Sequence, residues 1–336
     1  MLHLESMMFG LTTDDARNLA FQLALKNGLA NRFNKDKGKA GKDWLLGFMK
    51  RHPELSLRQP EVTSAARARS FNPENVKKFF DLLEATIDKY HFPPHRIYNC
   101  DETGITTVPG KPSKVIAKCG RQQVGSMVSA ERGQLVTTEI CMSVTGTYVP
   151  PLFIFPRTRM KMELMNGAPP GSIHACHKSG WMQLHIFVDW FKHFLQVTGA
   201  APTNPVLLIL DGHSTHTKNL EVIEMARENG VVLLCLPPHC SHKMQPLDVS
   251  FMKPLMTFYD KELEKWLRNN PGRVVTTFQV AELFGNAYKR AATTETAASG
   301  FRKTGIFPCN RDIFTPYDFA ASEITNDQAN PDQAGI

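Results

Sequence analysis

The stretch LLILDGHSTHT (207–217) begins as an uninterrupted apolar run, stops at an acid, and then presents two histidines. A short continuous apolar run reads as a strand covered on both faces, which belongs to a sheet with helices packed on either side. The stretch also poses a chemical choice. Asp211 points to divalent-cation chemistry, whereas His213 and His216 point to zinc or to no metal at all.

The neighbouring segments extend the sheet. RIYNCD (96–101), QLVTTEICMSV (134–144) and YVPPLFIF (148–155) read as three strands of a meander, the third starting at an edge because of its prolines. A helix is expected over WMQLHIFVDWFKHFLQV (181–197), with Trp181, Leu184, Val188, Phe191 and Leu195 inward. KNLEVIEMARENG (218–230) is a helix and VVLLCLPP (231–238) another buried strand. A long helix from Pro246 to about Arg268 and smaller ones to about Arg290 follow. The order strand, strand, strand, helix, strand, helix, strand, helix describes a mixed α/β sheet flanked by helices. The four tryptophans fall on apolar helix faces and are expected in the core.

The N-terminal part differs. LTTDDARNLAFQLALKNG (11–28) opens with Thr12 or Thr13 as N-cap, lines Ala16, Leu19, Ala20, Leu23 and Ala24 along one face, and closes at Gly28. A lysine-rich loop (31–41) leads to KDWLLGFMKRH (42–52), a helix expected to bury Trp44, Leu45 and Phe48. Residues 55–71 have the composition of a linker, and a further helix starts at Asn72-Pro73. The expected layout is 1–60 a partial helix-turn-helix module, 61–95 linker and helix, 96–315 the α/β domain, and 316–336 an acidic disordered tail.

Charge and cysteine usage narrow the function class. The net charge is +7. Between Lys26 and Arg58 nine Lys and Arg face three acids, a concentration expected of a nucleic-acid contact through Lys35, Lys37, Lys39, Lys42, Lys50, Arg51 and Arg58. Arg302 and Lys303 are equally open to a DNA-backbone contact or a solvated surface. No apolar stretch approaches the ~20 residues of a membrane helix. Seven cysteines without a C-x-x-C pair suit a reducing compartment. Nothing calls for a membrane or a small-molecule cofactor.

Three aspartates occupy positions that structure alone does not favour. Asp101 and Asp211 end strands, and Asp248 lies in the first turn of the helix after the last strand. Each one singly reads as a cap or turn former. Together, beyond the carboxyl ends of adjacent strands, they repel one another unless hard divalent cations, Mg²⁺ or Mn²⁺, sit between them. Two such ions about 3.5–4 Å apart serve phosphodiester chemistry. Glu102, next to a strand-end ligand, is expected to face away. His213, His216, His239, Cys240 and His242 offer zinc spacings, but H-x-x-H across a strand-to-helix turn is not the i, i+4 spacing of helical ligands.

The blocks YNCDETGITTVP (98–109), LLILDGHSTHTKN (207–219) and LPPHCSHKMQPLDVSFMKPL (236–255) resemble the three acidic blocks of the pogo-type branch of the mariner transposases, which takes in jerky, the Tigger elements and centromere protein B. AGKDWLLGFMKRHPELSLRQPE (40–61) resembles the end of that family's second helix-turn-helix domain, and GFRKTGIFPCN (300–310) the segment closing its catalytic domain. The resemblance implies a ribonuclease H-like fold and a two-metal catalytic triad. In it Asp101 bridges both ions, Asp211 holds one, and Asp248 completes the other, with His213 and His242 contacting phosphate or tuning the metal site. It implies a nuclear, double-stranded-DNA endonuclease and strand-transfer protein that works as a homodimer. It also implies a missing first helix-turn-helix domain and, in place of the opening helix of the second, MLHLESMMFG (1–10), as a truncated, decaying or domesticated element would show. A host-domesticated DNA-binding protein without catalysis is therefore the second expectation.

Overall fold

In a computed structural model that describes residues 11–59, 64–110, 116, 118–120, 133–213 and 219–327, the apolar runs pair into one sheet. Its strands are β1 (Ile97–Thr106), β2 (Leu135–Ser143), β3 (Tyr148–Phe155), β4 (Ile173–Cys176), β5 (Val206–Leu210) and β6 (Val231–Cys235). They lie in the order β4-β3-β2-β1-β5-β6. Strands β1 to β3 form the antiparallel meander, while β5 and β6 run parallel to β1. Only β2 opposes the others, so β1, β3, β4, β5 and β6 all end toward the same edge.

Two details differ from the sequence reading. Strand β4 has no clear periodicity in the sequence, yet it pairs in parallel with Leu152–Phe155. That pairing makes β3 internal, and its prolines are accommodated because β4 pairing starts only at Leu152, next to a register shift opposite Glu139–Cys141. Strand β1 is also longer than expected: it runs past Asp101 to Thr106, because its ladder with β2 continues to Thr106↔Leu135.

One face of the sheet is covered by α5 (Leu184–Thr198) and α6 (Leu220–Glu228). Tyr98, Cys100, Leu208 and Leu210 pack there with Phe187, Trp190, Phe191, Phe194 and Val222. The inward stripe of α5 includes Val188 and Phe191 as expected, but Leu184 is half exposed, and Trp181 precedes the helix with 58% of its surface in solvent. Of the tryptophans, Trp190 is fully buried; the expectation of four core tryptophans does not hold. The opposite face receives α7 (Ser241–Met244), a π-helical turn (Leu247–Phe251), α8 (Met252–Asn269), α9 (Thr277–Ala291) and α10 (Thr294–Lys303). Phe153 and Phe284 pack edge to face there, and Tyr148, Phe251 and Tyr288 form the adjoining ring cluster. The buried Tyr259 hydroxyl donates to Thr106 O (2.9 Å), joining α8 to the far end of β1.

Arg96 closes the other end of the sheet. Its buried guanidinium donates to Thr198 O (2.6 Å), Asn204 O (2.5 Å) and Pro205 O (3.2 Å), which satisfies the carboxyl end of α5 and the turn before β5. Arg96→Met leaves these carbonyls without their donor and is expected to cost about 3 kcal/mol, read as a lower urea midpoint.

The chain divides into two compact units, residues 74–313 and residues 1–73 with 314–336. Helix α4 (Pro73–Tyr90) thus falls almost wholly with the sheet, burying Val76, Phe79, Phe80 and Leu83. In the smaller unit, α1 (Thr13–Lys26) starts at a reciprocal capping box between Thr12 and Asp15. It buries Ala16 and Ala24, but Leu19 and Leu23 are 39% and 50% exposed, contrary to expectation. Helix α2 (Lys42–Arg51) buries no residue fully. Trp44 is half-buried, its ring stacked on Phe48 (5.2 Å) and edge-on to Phe33 (5.9 Å). Part of the expected linker is a short helix, α3 (Ala65–Ser70), capped by Ser64. The expected disordered tail is helical over α11 (Pro316–Asp327), because Phe319 packs against Phe71 and Phe314. Residues 328–336 lie outside the described residues.

Candidate active site

The three aspartates come to one place on the face that carries the π-turn. Pairing of β1 with β5 proceeds Ile97↔Leu207, Tyr98↔Leu208, Asn99↔Ile209 and then ceases. Two residues further along each strand stand Asp101 and Asp211. Side chains alternate along a strand, so Asp101 shares the face of Asn99, whose side chain bonds the segment leading into the π-turn. Glu102 takes the other face, opposite Glu139 of β2. Asp248 is the second residue of the π-turn. All three aspartates are half-buried.

Electrostatics shows that they are neighbours. The carboxyl of Asp101 is pushed well above the usual carboxylate range, first by burial, then by the negative charges of Asp248, Glu102 and Asp211. A single hydrogen bond from the Glu102 N–H (3.0 Å) works the other way. Asp211 accepts from the His213 N–H (3.0 Å), a local turn that fixes its carboxylate at the strand end. Burying like charges together costs free energy that the hydrophobic core does not require.

The turn holding Asp248 is shaped from three sides. Pro246 precedes it and Ser250 Oγ donates back to Pro246 O (3.0 Å). Phe251, its last residue, is held between Tyr148 and Tyr288. Gly300 of α10 packs so closely that a Cβ there falls 2.5 Å from Ser250 Oγ and 2.7 Å from Pro246 O. The GFRKTGIFPCN segment thus has a physical role in holding the third acid.

The donor set fits hard divalent cations: three carboxylates, oxygen donors only, already repelling one another. Among the described residues no group of three His, Cys, Asp or Glu side chains is arranged to hold a single metal ion. When three acids divide between two ions, each ion takes two of them, so such a group is not required. The histidine reading loses support. His213 is exposed, His239 adopts a left-handed backbone (φ 62°), His242 is half-buried, and His216 lies outside the described residues. A cavity of about 440 Å³ lies elsewhere, lined by Pro202, Pro205, Gly230 and Val231 at the opposite ends of β5 and β6.

In the smaller unit Lys35, Lys37, Lys42, Lys50, Arg51 and Arg58 are exposed. Lys39 is half-buried and ion-paired with Asp14 (2.6 Å), bracing the loop to α1. Arg302 pairs with Glu295 (3.1 Å) on the surface. Sequence reading missed two features at the site, Asn99 and Gln245. Their signal was two amides bordering the acidic positions in otherwise apolar surroundings.

Comparison with known proteins agrees with this architecture. Residues 134–288 match the family described as DDE superfamily endonuclease, a span that includes Asp211 and Asp248 and begins after Asp101. The chain is 29% identical over 229 residues to the MFS-type transporter clz9 of Cochliobolus lunatus, covering 67% of this chain and 24% of that protein. Over 226 residues it is 23% identical to the Pogo transposable element with ZNF domain of Homo sapiens, covering 67% of this chain and 15% of that protein. It therefore spans a quarter or less of these relatives. Among the described residues no helix is long and apolar enough to cross a membrane. The pre-cleavage Mos1 transpososome superposes with a TM-score of 0.51 at 11% identity, over 94% of this chain and 80% of that chain, which shows the ribonuclease H-like fold. The acids and the sheet order thus lie in a chain whose residues 134–288 match the DDE superfamily endonuclease family and which is similar to the pogo transposable element of Homo sapiens.

Proposed function

We propose that this chain is a transposase-derived nuclear protein whose Asp101, Asp211 and Asp248 cleave DNA phosphodiesters and transfer strands with Mg²⁺ or Mn²⁺. The observation that carries this reading is the meeting of three carboxylates on one face of the sheet, where burial and then the charges of Asp248, Glu102 and Asp211 raise the proton affinity of Asp101. Bound there, two such ions supply the positive charge that activates a water or a 3′-hydroxyl and eases departure of the leaving oxygen. The protein's part is to hold the carboxylates in register. Asp101 is near enough to feel the charges of the other two, Asp211 is fixed by the His213 N–H, and Asp248 is presented by the π-turn. His213 and His242 flank the acids in sequence and suit a phosphate contact.

Plasmid nicking tests the proposal. Purified protein is expected to nick supercoiled DNA with Mn²⁺ or Mg²⁺, to stop when the ions are chelated, and to lose activity in Asp211→Ala. Metal-independent nicking, or nicking unchanged in the variant, refutes it.

The exposed cations of the smaller unit favour a DNA contact that is independent of catalysis, and with it the reading of a domesticated DNA-binding protein. Each phosphate contact contributes about 0.9 to the slope of log affinity against log salt. Replacing Lys35 and Lys37 by Ala is expected to reduce that slope by about 1–2 in a titration of DNA binding. An unchanged slope removes them from the interface.

A further inference from the structure

Asn99 and Gln245 are wholly buried amides beside the acids, and their hydrogen bonds reach the backbone next to every member of the triad. Asn99 Nδ2 donates to Ile209 O (3.0 Å), two residues before Asp211, and to Gln245 Oε1 (2.5 Å). Asn99 Oδ1 accepts from the Leu247 N–H (3.1 Å), adjacent to Asp248. Gln245 Nε2 donates to Cys100 O (3.0 Å), adjacent to Asp101. Reversing either amide would set donor against donor or acceptor against acceptor, so the orientations are determined by the network itself.

We infer that Asn99 and Gln245 are positioning residues that set the spacing of Asp248 from Asp101 and Asp211. Two facts support this. The β1–β5 ladder ends at Asn99↔Ile209, so the strands carry no backbone link of their own at the level of the acids. Gln245 is extended (φ −85°, ψ 112°) between α7 and the π-turn, its N–H donating to Ser241 O (2.9 Å) and its carbonyl accepting from the Val249 N–H (3.0 Å), so the residue that links the two elements is the one whose side chain is anchored on β1. An apolar pair of the same volume fills the core equally well without defining a spacing. Amides give direction, which is what a metal site demands of its ligand carriers.

The inference rests on the metal-dependent reading proposed above, and the test separates the two. In the full-length protein, Gln245→Met keeps the volume and removes two of the four bonds. Mn²⁺ affinity, read by electron paramagnetic resonance of free Mn²⁺, is expected to weaken about 10–100-fold. Arg96→Met, destabilised at the distant end of the sheet, is expected to bind Mn²⁺ as the parent does. In metal-free protein, amide hydrogen exchange over 246–251 is expected to speed up about tenfold in Gln245→Met, with β2 and β3 unchanged. Parental Mn²⁺ affinity in Gln245→Met overturns the inference. If the parent itself binds no Mn²⁺, the metal reading falls and exchange alone decides: acceleration confined to 246–251 upholds the clasp, uniform or absent acceleration rejects it. Should Gln245→Met fail to fold, Gln245→Asn, which keeps an amide but shortens its reach, takes its place with the same expected results.

Discussion

Asp101→Asn is expected to make the metal-free protein more stable and to abolish the proposed nicking. A carboxyl whose pKa is raised by folding subtracts stability once the pH exceeds its ordinary value, and does so increasingly up to the raised one. At neutral pH the Asp101 charge therefore opposes folding, through burial and through the neighbouring charges of Asp248, Glu102 and Asp211. Asparagine has the same shape, keeps an acceptor for the Glu102 N–H, and removes the charge. A gain of about 1 kcal/mol raises the melting temperature by about 2–4 °C in a domain of this size. Nicking should fall about 10³-fold or more, since a lost ligand forfeits several kcal/mol of transition-state stabilisation. Adding Mg²⁺ should raise the melting temperature of the parent and leave the variant nearly unchanged. Calorimetry with and without Mg²⁺ checks the two thermal effects, and plasmid nicking checks the third. A lower melting temperature in the metal-free variant would show that Asp101 has a structural role instead.

The second large effect is expected at Gly300, which touches no substrate. A methyl group there meets Ser250 Oγ at 2.5 Å and the Pro246 carbonyl at 2.7 Å. A serine side chain can turn aside, but a backbone carbonyl cannot, so α10 and the π-turn must separate. Overpacking of this kind costs about 1–3 kcal/mol. A shift of the turn also moves Asp248, and about 1 Å of misplacement can cost about 10²-fold in rate. Gly300→Ala is thus expected to lower both the urea midpoint and nicking. In a Ser250→Ala background the loss should be only partly relieved, because the Pro246 contact remains. Full recovery in the double variant would assign the effect to the side chain alone.

How much of this could be read from the sequence depends on how local the cause was. Strand β5 was legible because five consecutive apolar residues have few alternatives, and α1 because Thr12 and Asp15 cap it within one turn. Asp101, Asp211 and Asp248 were legible because acids at the ends of apolar segments stand out against their surroundings. Strand β4 was not, since IHAC has no period and becomes a strand only through pairing with β3. Nor was the exposure of Trp181 and Leu184, which depends on where α5 starts relative to the sheet. Helix α11 was misread because an acidic composition hid Phe319, whose partners Phe71 and Phe314 lie across a turn and far upstream. The role of Gly300 is invisible without the turn it packs against.

The wide winding at Leu247–Phe251 determines which way Asp248 is turned. Met252, Leu255, Tyr259 and Leu263 form the buried stripe of α8, at intervals of three and four residues. Four residues before Met252, position 248 would continue that stripe if the helix wound normally throughout, and its acid would be pressed into the apolar interior. A π-turn accommodates one residue more than an α-helical turn, and each residue of α-helix advances the side chain by about 100°. The extra residue swings the carboxylate out of phase with the stripe. Deleting one residue from this turn would keep the helix and its core contacts intact while rotating the acid out of the site, a loss of function by change of angle alone.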